Sequence, residues 1–247
     1  MITKLYHGDC LEVLPSLPDS SIDLICTDLP YGTTCGKWDT IIPLDKLWEQ
    51  YLRVTKPTAA IVLTASQPFT SVLVMSNQAL FRHEWIWIKN RGSNFANTVR
   101  EPMKEHESIL VFSRGKWTYN KQMQERTGSG GDRVKYDVAF KTSSENYGKF
   151  IGKEAKKLPA LRVPSTWQKF NTEVGLHPTQ KPVALMEYLI KTYSNEGDVV
   201  LDSCMGSGTT GVACTTLGRH FIGIEKDDAF YNISKNRING INGTTCN

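Results

Sequence analysis

Four short apolar runs in this chain lead into an acidic residue. They are residues 3–6 before Gly8-Asp9, 22–27 before Asp28, 198–201 before Asp202, and 220–224 before Glu225. The runs are rich in the β-branched and aromatic residues of strands, and each is followed by apolar residues at helical spacing. Strands that alternate with helices need crossovers between parallel neighbours. The pattern therefore predicts an α/β fold, a mostly parallel, doubly wound sheet with helices on both faces. In such sheets ligands bind beyond the carboxyl ends of the strands, where the strand order reverses. A carboxylate held there needs hydrogen-bond donors, and four of them point to a ligand that supplies some.

Helices are expected over residues 11–17, 44–54, 69–75, 182–193, 209–217 and 229–238, with further strands over 59–64, 85–89 and 108–112. Pro57 follows the second helix. Pro182 falls in the first turn of the fourth, where a missing N–H costs nothing. No apolar run reaches the ~18 residues of a membrane span, and residues 1–9 read as a strand and not as a signal peptide. A cytoplasmic protein is expected. The six cysteines, Cys10, Cys26, Cys35, Cys204, Cys214 and Cys246, form no C-x-x-C pair and match no zinc spacing. Reduced thiols and no metal site follow.

The net charge is +4, unevenly spread: residues 114–169 hold thirteen Lys and Arg against five Asp and Glu, so the rest of the chain is slightly acidic. The regular alternation also lapses over 114–175, with Gly128-Ser129-Gly130-Gly131 as a loop signal. Four parts are expected: 1–113, 114–175 as a basic insertion suited to a polyanion, 176–239, and a polar tail over 240–247. Trp117, Tyr119, Tyr136, Tyr147 and Trp167 are expected to anchor the insertion.

Asp202 opens a turn, Gly206-Ser207-Gly208, that leads into a helix from Thr209 with free N–H groups at its start. About 20 residues on, Glu225 ends the next strand, where a carboxylate holds a ribose diol in nucleotide-binding sheets. The absence of Lys after the glycines argues against a P-loop. With Gly211 the turn reads G-S-G-T-T-G, which matches a dinucleotide fingerprint and keeps an oxidoreductase in contention. Against it, the Asp202 carboxylate would repel a pyrophosphate. A cofactor with a cationic sulfonium and ammonium suits Asp202 better.

Taken together, Asp28-x-Pro30-Tyr31, then His177-Pro178-Thr179-Gln180-Lys181-Pro182, then Leu201-Asp202-x-x-x-Gly206-Ser207-Gly208-Thr209-Thr210 resemble the β-group of amino-methylating DNA methyltransferases, which act on adenine N6 or cytosine N4. The resemblance covers nearly all of the chain outside residues 114–175. It implies a Rossmann-like methyltransferase fold in circularly permuted order, catalytic before cofactor, with the basic insertion as target-recognition region. It implies S-adenosylmethionine as cofactor. By the same resemblance Asp202, Cys204, Gly206, Ser207, Gly208 and Thr209 lie at its methionine part, Glu225 at its ribose, Asp9 by its adenine, and Thr179 and Lys181 near its carboxylate. The partners it implies are double-stranded DNA, a second copy of the chain and a cognate restriction endonuclease. Two departures stand out: Leu29 replaces the first proline of Asp-Pro-Pro-Tyr, and Ser203-Cys204 replaces Pro-Phe in the cofactor loop. Cys204 offers less apolar cover than Phe, so weaker cofactor binding is expected.

The chemistry expected of residues 28–31 follows from the amine. An exocyclic amino nitrogen is a poor nucleophile because its lone pair is delocalised into the ring. The Asp28 carboxylate and the Leu29 carbonyl would accept its two N–H bonds and draw it toward tetrahedral geometry, by positioning and electrostatics alone. Pro30 restricts Leu29 to extended conformations and so aims that carbonyl. Tyr31 would stack on a base turned out of the duplex, and Trp38-Asp39 would close over it. Asp rather than Ser at position 28 favours adenine N6. A cytosine-N4 enzyme, a dinucleotide-dependent oxidoreductase and a non-catalytic DNA-binding relative stay as rival readings.

Overall fold

A computed structural model describes residues 1–34, 36, 39–125, 141–144, 148–151, 161–176 and 179–244, the backbone alone for 141–144, 148–151 and 242–244. Trp38, Tyr136, Tyr147, His177 and Pro178, each singled out above, lie outside the described residues. The chain divides into two units, Met1–Asn120 with Thr166–Asn247, and Lys121–Ser165.

The strands are β1 (Thr3–His7), β2 (Ile22–Asp28), β3 (Thr55–Ala65), β4 (Phe81–Ser93), β5 (Lys104–Phe112), β6 (Gln124–Glu125), β7 (Lys141–Ser144), β8 (Gly148–Ile151), β9 (Leu161–Arg162), β10 (Trp167–Lys169), β11 (Val199–Asp202) and β12 (His220–Glu225). The α-helices are α1 (Cys10–Val13), α2 (Leu44–Val54), α3 (Phe69–Ser76), α4 (Val183–Tyr193), α5 (Thr209–Thr216) and α6 (Asp228–Thr244). In the larger unit eight strands form one sheet in the order β1-β12-β11-β2-β3-β5-β4-β10. Only β5 runs against its neighbours, pairing antiparallel with both β3 and β4. In the smaller unit β6 pairs with β9 and β7 with β8, both antiparallel.

The alternation along the central strands sets two cores. From β2, Leu24 and Cys26 face α4 and α5 and pack with Leu185, Leu189 and Val212, while Ile25 faces α2 and α3 and packs with Leu47, Tyr51 and Phe69. This is the period-2 pattern of a sheet covered on both sides. Helix α2 buries Leu47, Trp48, Tyr51 and Val54, one stripe at helical spacing, with Asp45 in its first turn and Arg53 in its last, each favourable to the helix dipole.

The C-terminal strands β11 and β12 insert between the N-terminal β1 and β2. The chain therefore departs from β11 in one direction to β12 and from β2 in the other to β3. That reversal places a switch-point crevice beyond the ends of β11 and β2.

Several boundaries differ from the sequence expectations. Pro182 caps α4 in an extended conformation and is not part of it. Helix α6 runs on to Thr244, so residues 240–244 are no loose tail; Ile238 is fully buried and Ile241 packs on the same core. Residues 114–120 and 166–175 belong to the larger unit: β10 is an edge strand of its sheet. Trp117 and Tyr119 lie against His83, while Trp167 is half exposed on β10. These aromatic side chains serve the main sheet rather than a separate lobe.

Candidate active site

Asp28 ends β2 at the centre of a network of buried charge. Its Oδ1 accepts from Tyr31 Oη at 2.7 Å and from Thr64 Oγ1, and its Oδ2 accepts from Lys181 Nζ at 2.7 Å. Lys181 is only 5% exposed, and its Nζ also lies 3.2 Å from Glu107 Oε2. Glu107 in turn pairs with Lys89 at 2.5 Å. Two acids and two bases thus alternate, and the charges balance, as a buried ionic group requires. Burial alone would pull the Lys181 ammonium down, but Asp28 and Glu107 outweigh it and raise its pKa. Burial pushes the Glu107 carboxyl up, and Lys181 and Lys89 bring it below the usual range. The Tyr31 hydroxyl is held well above its ordinary range, by burial first and then by Asp28 and Glu107, so it remains a donor.

The neighbouring strand ends hold carboxylates of another kind. Asp202, 3% exposed, accepts from the Cys204 N–H at 3.1 Å. Burial pushes its carboxyl up to about 7; hydrogen bonds from Thr210 and Cys204 oppose the shift, and the charges of Asp28 and Glu225 add to it. Glu225 accepts from the Gly206 N–H and the Asp227 N–H, both at 2.8 Å. Burial raises its pKa against those bonds. Among the described residues no Lys or Arg pairs with Asp202 or Glu225. Gly206 turns the chain at φ 49°, where other residues are strained. Tyr51 Oη, from α2, anchors the loop on Ser203 Oγ at 2.5 Å.

Both strand ends open into one cavity of about 1050 Å³. It is lined by Asp28, Leu29, Pro30 and Tyr31, and by Asp9, Thr179, Lys181, Asp202, Cys204, Gly206, Ser207, Thr209 and Glu225. The structure thus brings together every expected site residue except Gly208. Gly208, at φ 79°, starts α5, and a Cβ there would lie 2.9 Å from Ser234 Cβ. Its lack of a side chain serves the packing of α5 on α6. Ser207 and Thr209 both accept from Arg237 Nη1, at 3.4 and 3.0 Å, which fixes the start of that helix. Asp9 caps α1 through the Leu11 N–H at 2.9 Å and pairs with Lys226 at 3.0 Å.

Three of the expected residues have partners within the chain. Lys181, placed by resemblance near the cofactor's carboxylate, is bound to Asp28 and Glu107, where its charge balances theirs. Tyr31 does not offer a free ring: it stacks on Phe69 at 5.5 Å between centroids, Lys181 Nζ lies 5.4 Å from its centroid, and its hydroxyl is held by Asp28. Asp39 also lines the cavity. It accepts from the N–H groups of Gly32, Thr33 and Thr34 at 2.8, 2.9 and 2.6 Å, and so staples the loop after Tyr31. At the Leu29 departure the side chain is buried in the core at 3% exposure and anchors the loop there.

Sequence reading missed Thr64, Lys89 and Glu107. A signal for the last two was present. Lys89 continues the buried face of Trp85 and Trp87, and Glu107 that of Ile109 and Val111, so each is a charge at a core position of a strand.

A doubly wound sheet with uncompensated carboxylates at adjacent strand ends, opening on a cavity of this size, defines an α/β protein that binds a nucleotide-like, partly cationic ligand at its switch point. The chain belongs to the DNA methylase family, whose model matches residues 22–236. It is 28% identical to the Type II methyltransferase M.HpaI of Haemophilus parainfluenzae, over 96% of this chain and 74% of that one. To the Type II methyltransferase M.HinfI of Haemophilus influenzae it is 29% identical, over 97% and 69%. Among solved structures, the M1.HpyAVI–SAM complex superposes with a TM-score of 0.64 at 27% identity, over 96% of this chain and all of that one. PvuII DNA methyltransferase, cytosine-N4-specific, shares the fold with a TM-score of 0.69 at 15% identity. No helix among the described residues is long and apolar enough to cross a membrane.

Proposed function

We propose that this chain is a site-specific DNA methyltransferase that acts on the exocyclic N6 of adenine in double-stranded DNA. The observation that carries the reading is the single cavity holding both Asp28 and the pair Asp202 and Glu225. Its acid-lined end fits S-adenosylmethionine: Asp202, buried without a cation, suits the ammonium, and Glu225, fixed by two N–H groups, suits the ribose hydroxyls. Bound there, S-adenosylmethionine supplies an electrophilic methyl group on a sulfonium.

The chain's own residues position the amine. A carboxylate oxygen accepts about two hydrogen bonds. Asp28 Oδ1 is filled by Tyr31 and Thr64, while Oδ2 holds Lys181 and has one place left. We assign that place to one N–H of the target amine, and the Leu29 carbonyl to the other. The network of Lys181, Glu107 and Lys89 holds Asp28 at fixed distance and orientation, so no reorganisation is needed as charge develops on the nitrogen. In this reading Tyr31 is a support of Asp28. Aspartate at position 28 favours adenine N6 over cytosine N4. The same reading extends to a cytoplasmic location, a homodimer and a cognate restriction endonuclease as further partners.

The test is transfer of labelled methyl from S-adenosylmethionine to unmethylated plasmid DNA, followed by mass spectrometry of the nucleosides. N6-methyladenine is expected; N4-methylcytosine would assign the other amine, and no transfer would refute the enzyme.

A further inference from the structure

Extruding a base from a duplex leaves a hole in the stack and an unpaired partner, and proteins that bend or open DNA commonly fill such gaps with apolar side chains. Among the described residues the active-site network contains no side chain free to do this, since Tyr31 is held by Asp28 and packed on Phe69.

The connection between β4 and β5 offers one. Phe95 is 82% exposed and Val99 90% exposed. Both are large apolar side chains presented to solvent on one short turn. The turn is nevertheless built. Asn94 takes a left-handed conformation at φ 70° and starts a 3-10 turn, Phe95–Asn97. Asn94 Nδ2 donates to Glu101 Oε1 at 2.5 Å, the Arg100 N–H to the Asn97 carbonyl at 2.9 Å, and Thr98 Oγ1 to the Phe95 carbonyl at 2.9 Å. Below it, Met103 packs closely over Gly92, with Met103 Cγ only 2.2 Å from where a Cβ on Gly92 would stand. The hairpin thus has a firm base and an apolar, uncovered tip.

Position and charge identify the partner. Arg91, Ser93, Asn94 and Lys104 line the same cavity as Asp28, so the tip projects from residues that border the space a base must enter. From 91 to 104 the hairpin carries Arg91, Arg100 and Lys104 against one acid, Glu101, and Glu101 is bound by Asn94. Cations beside an exposed aromatic ring suit phosphates flanking a base stack.

We infer that the β4–β5 tip is a wedge for duplex DNA, in which Phe95 and Val99 enter the stack beside the extruded base while Arg91, Arg100 and Lys104 hold the adjoining phosphates. This rests on the methyltransferase reading and adds to it a means of opening the duplex.

The experiment uses a duplex bearing the site mapped by sequencing plasmid DNA methylated by the wild-type protein. One version is fully paired, and the other has an abasic residue opposite the target base. The double variant Phe95→Ala, Val99→Ser is expected to lose at least about tenfold in kcat/KM on the paired duplex, because unstacking a base step is then uncompensated. On the abasic duplex, where the base is already unpaired, it is expected to stay within about threefold of wild type. Phe95→Trp should retain activity on both. Equal activity of wild type and double variant on the paired duplex would overturn the wedge, as would an equal loss on both duplexes. An equal loss accompanied by a change from dimer to monomer in sedimentation would assign the tip to a second copy of the chain. Wild-type protein that methylates neither duplex nor plasmid would overturn the methyltransferase reading, and the wedge with it.

Discussion

Neighbouring strand ends of this protein, β2 on one hand and β11 with β12 on the other, carry carboxylates under opposite conditions. At the end of β2, Asp28 is matched: Lys181 sits on one oxygen and two hydroxyls on the other, and Glu107 and Lys89 close the charge balance. At the ends of β11 and β12, Asp202 and Glu225 are bound by backbone N–H groups without a cation, and both are pushed toward the protonated state. The first arrangement is complete in itself and spends its order on holding one acceptor still. The second is stable only in part, and a cationic ligand completes it. Preorganisation and ligand affinity are thus built side by side, from the same residue type, by the presence or absence of lysine.

The largest expected effect tests the matched end. Asp28→Ala should lower kcat by about 10³-fold or more, as removal of a preorganised catalytic acceptor does, while cofactor affinity by calorimetry stays within a few-fold. Retained turnover would remove Asp28 from the mechanism. Next, Glu107→Gln leaves two lysines with one carboxylate between them. Truncating one partner of a buried charged network costs about 3–5 kcal/mol, so a fall in melting temperature is expected together with a kcat loss of about 10²-fold. A KM for DNA that moves instead of kcat would show that Glu107 does not act through Asp28.

The open end should respond in the opposite sense. Asp202→Asn is expected to weaken S-adenosylmethionine by about 10- to 100-fold, the worth of a charge-assisted bond, yet to raise the melting temperature of the ligand-free protein at pH 8. The sign follows from the raised carboxyl. Its folded-state value near 7 lies above the unfolded value, so its contribution to stability is full below the unfolded value and is lost as pH rises toward and through 7. Cofactor affinity should therefore grow between pH 6 and 8 in the wild type, and the variant should flatten that rise. A variant that is less stable at pH 8 would mean that Asp202 is already compensated. The smallest effect is Tyr51→Phe, which removes the bond to Ser203 under the cofactor loop. It should cost about 1 kcal/mol, or about 2–4 °C in melting temperature, with cofactor affinity down by no more than a few-fold.

The contrast between the two ends could not be read from sequence, although their positions could. Strand-end acids at 28, 202 and 225 followed from periodicity, and the sheet places all three on one cavity. What each acid meets depends on long-range pairing. Lys181 reaches Asp28 across 153 positions, a pairing that neither the family resemblance nor the nearby helix start suggested. Lys89 and Glu107 come together because β4 and β5 pair antiparallel, with Trp87 opposite Glu107. Leu29 looked like a defect in a motif only because a linear pattern does not say that position 29 points into the core. The basic composition of 114–169 was correctly seen, but its edges were not: the aromatic residues at either end are claimed by the main sheet.

The insertion of β11 and β12 between β1 and β2 also bears on how the protein is made. Synthesis runs from the N-terminus, so β1 and β2 emerge long before the two strands that separate them. Until residues 199–225 leave the ribosome, β2 has an unpaired parallel edge and the apolar faces of Leu24 and Ile25 lack part of their cover. Such an edge invites wrong pairing. The nascent chain therefore has no complete cofactor crevice, and so no methyl transfer, until β11 and β12 have been made. A stalled or truncated product would be a hazard to solubility rather than a stray methylating enzyme.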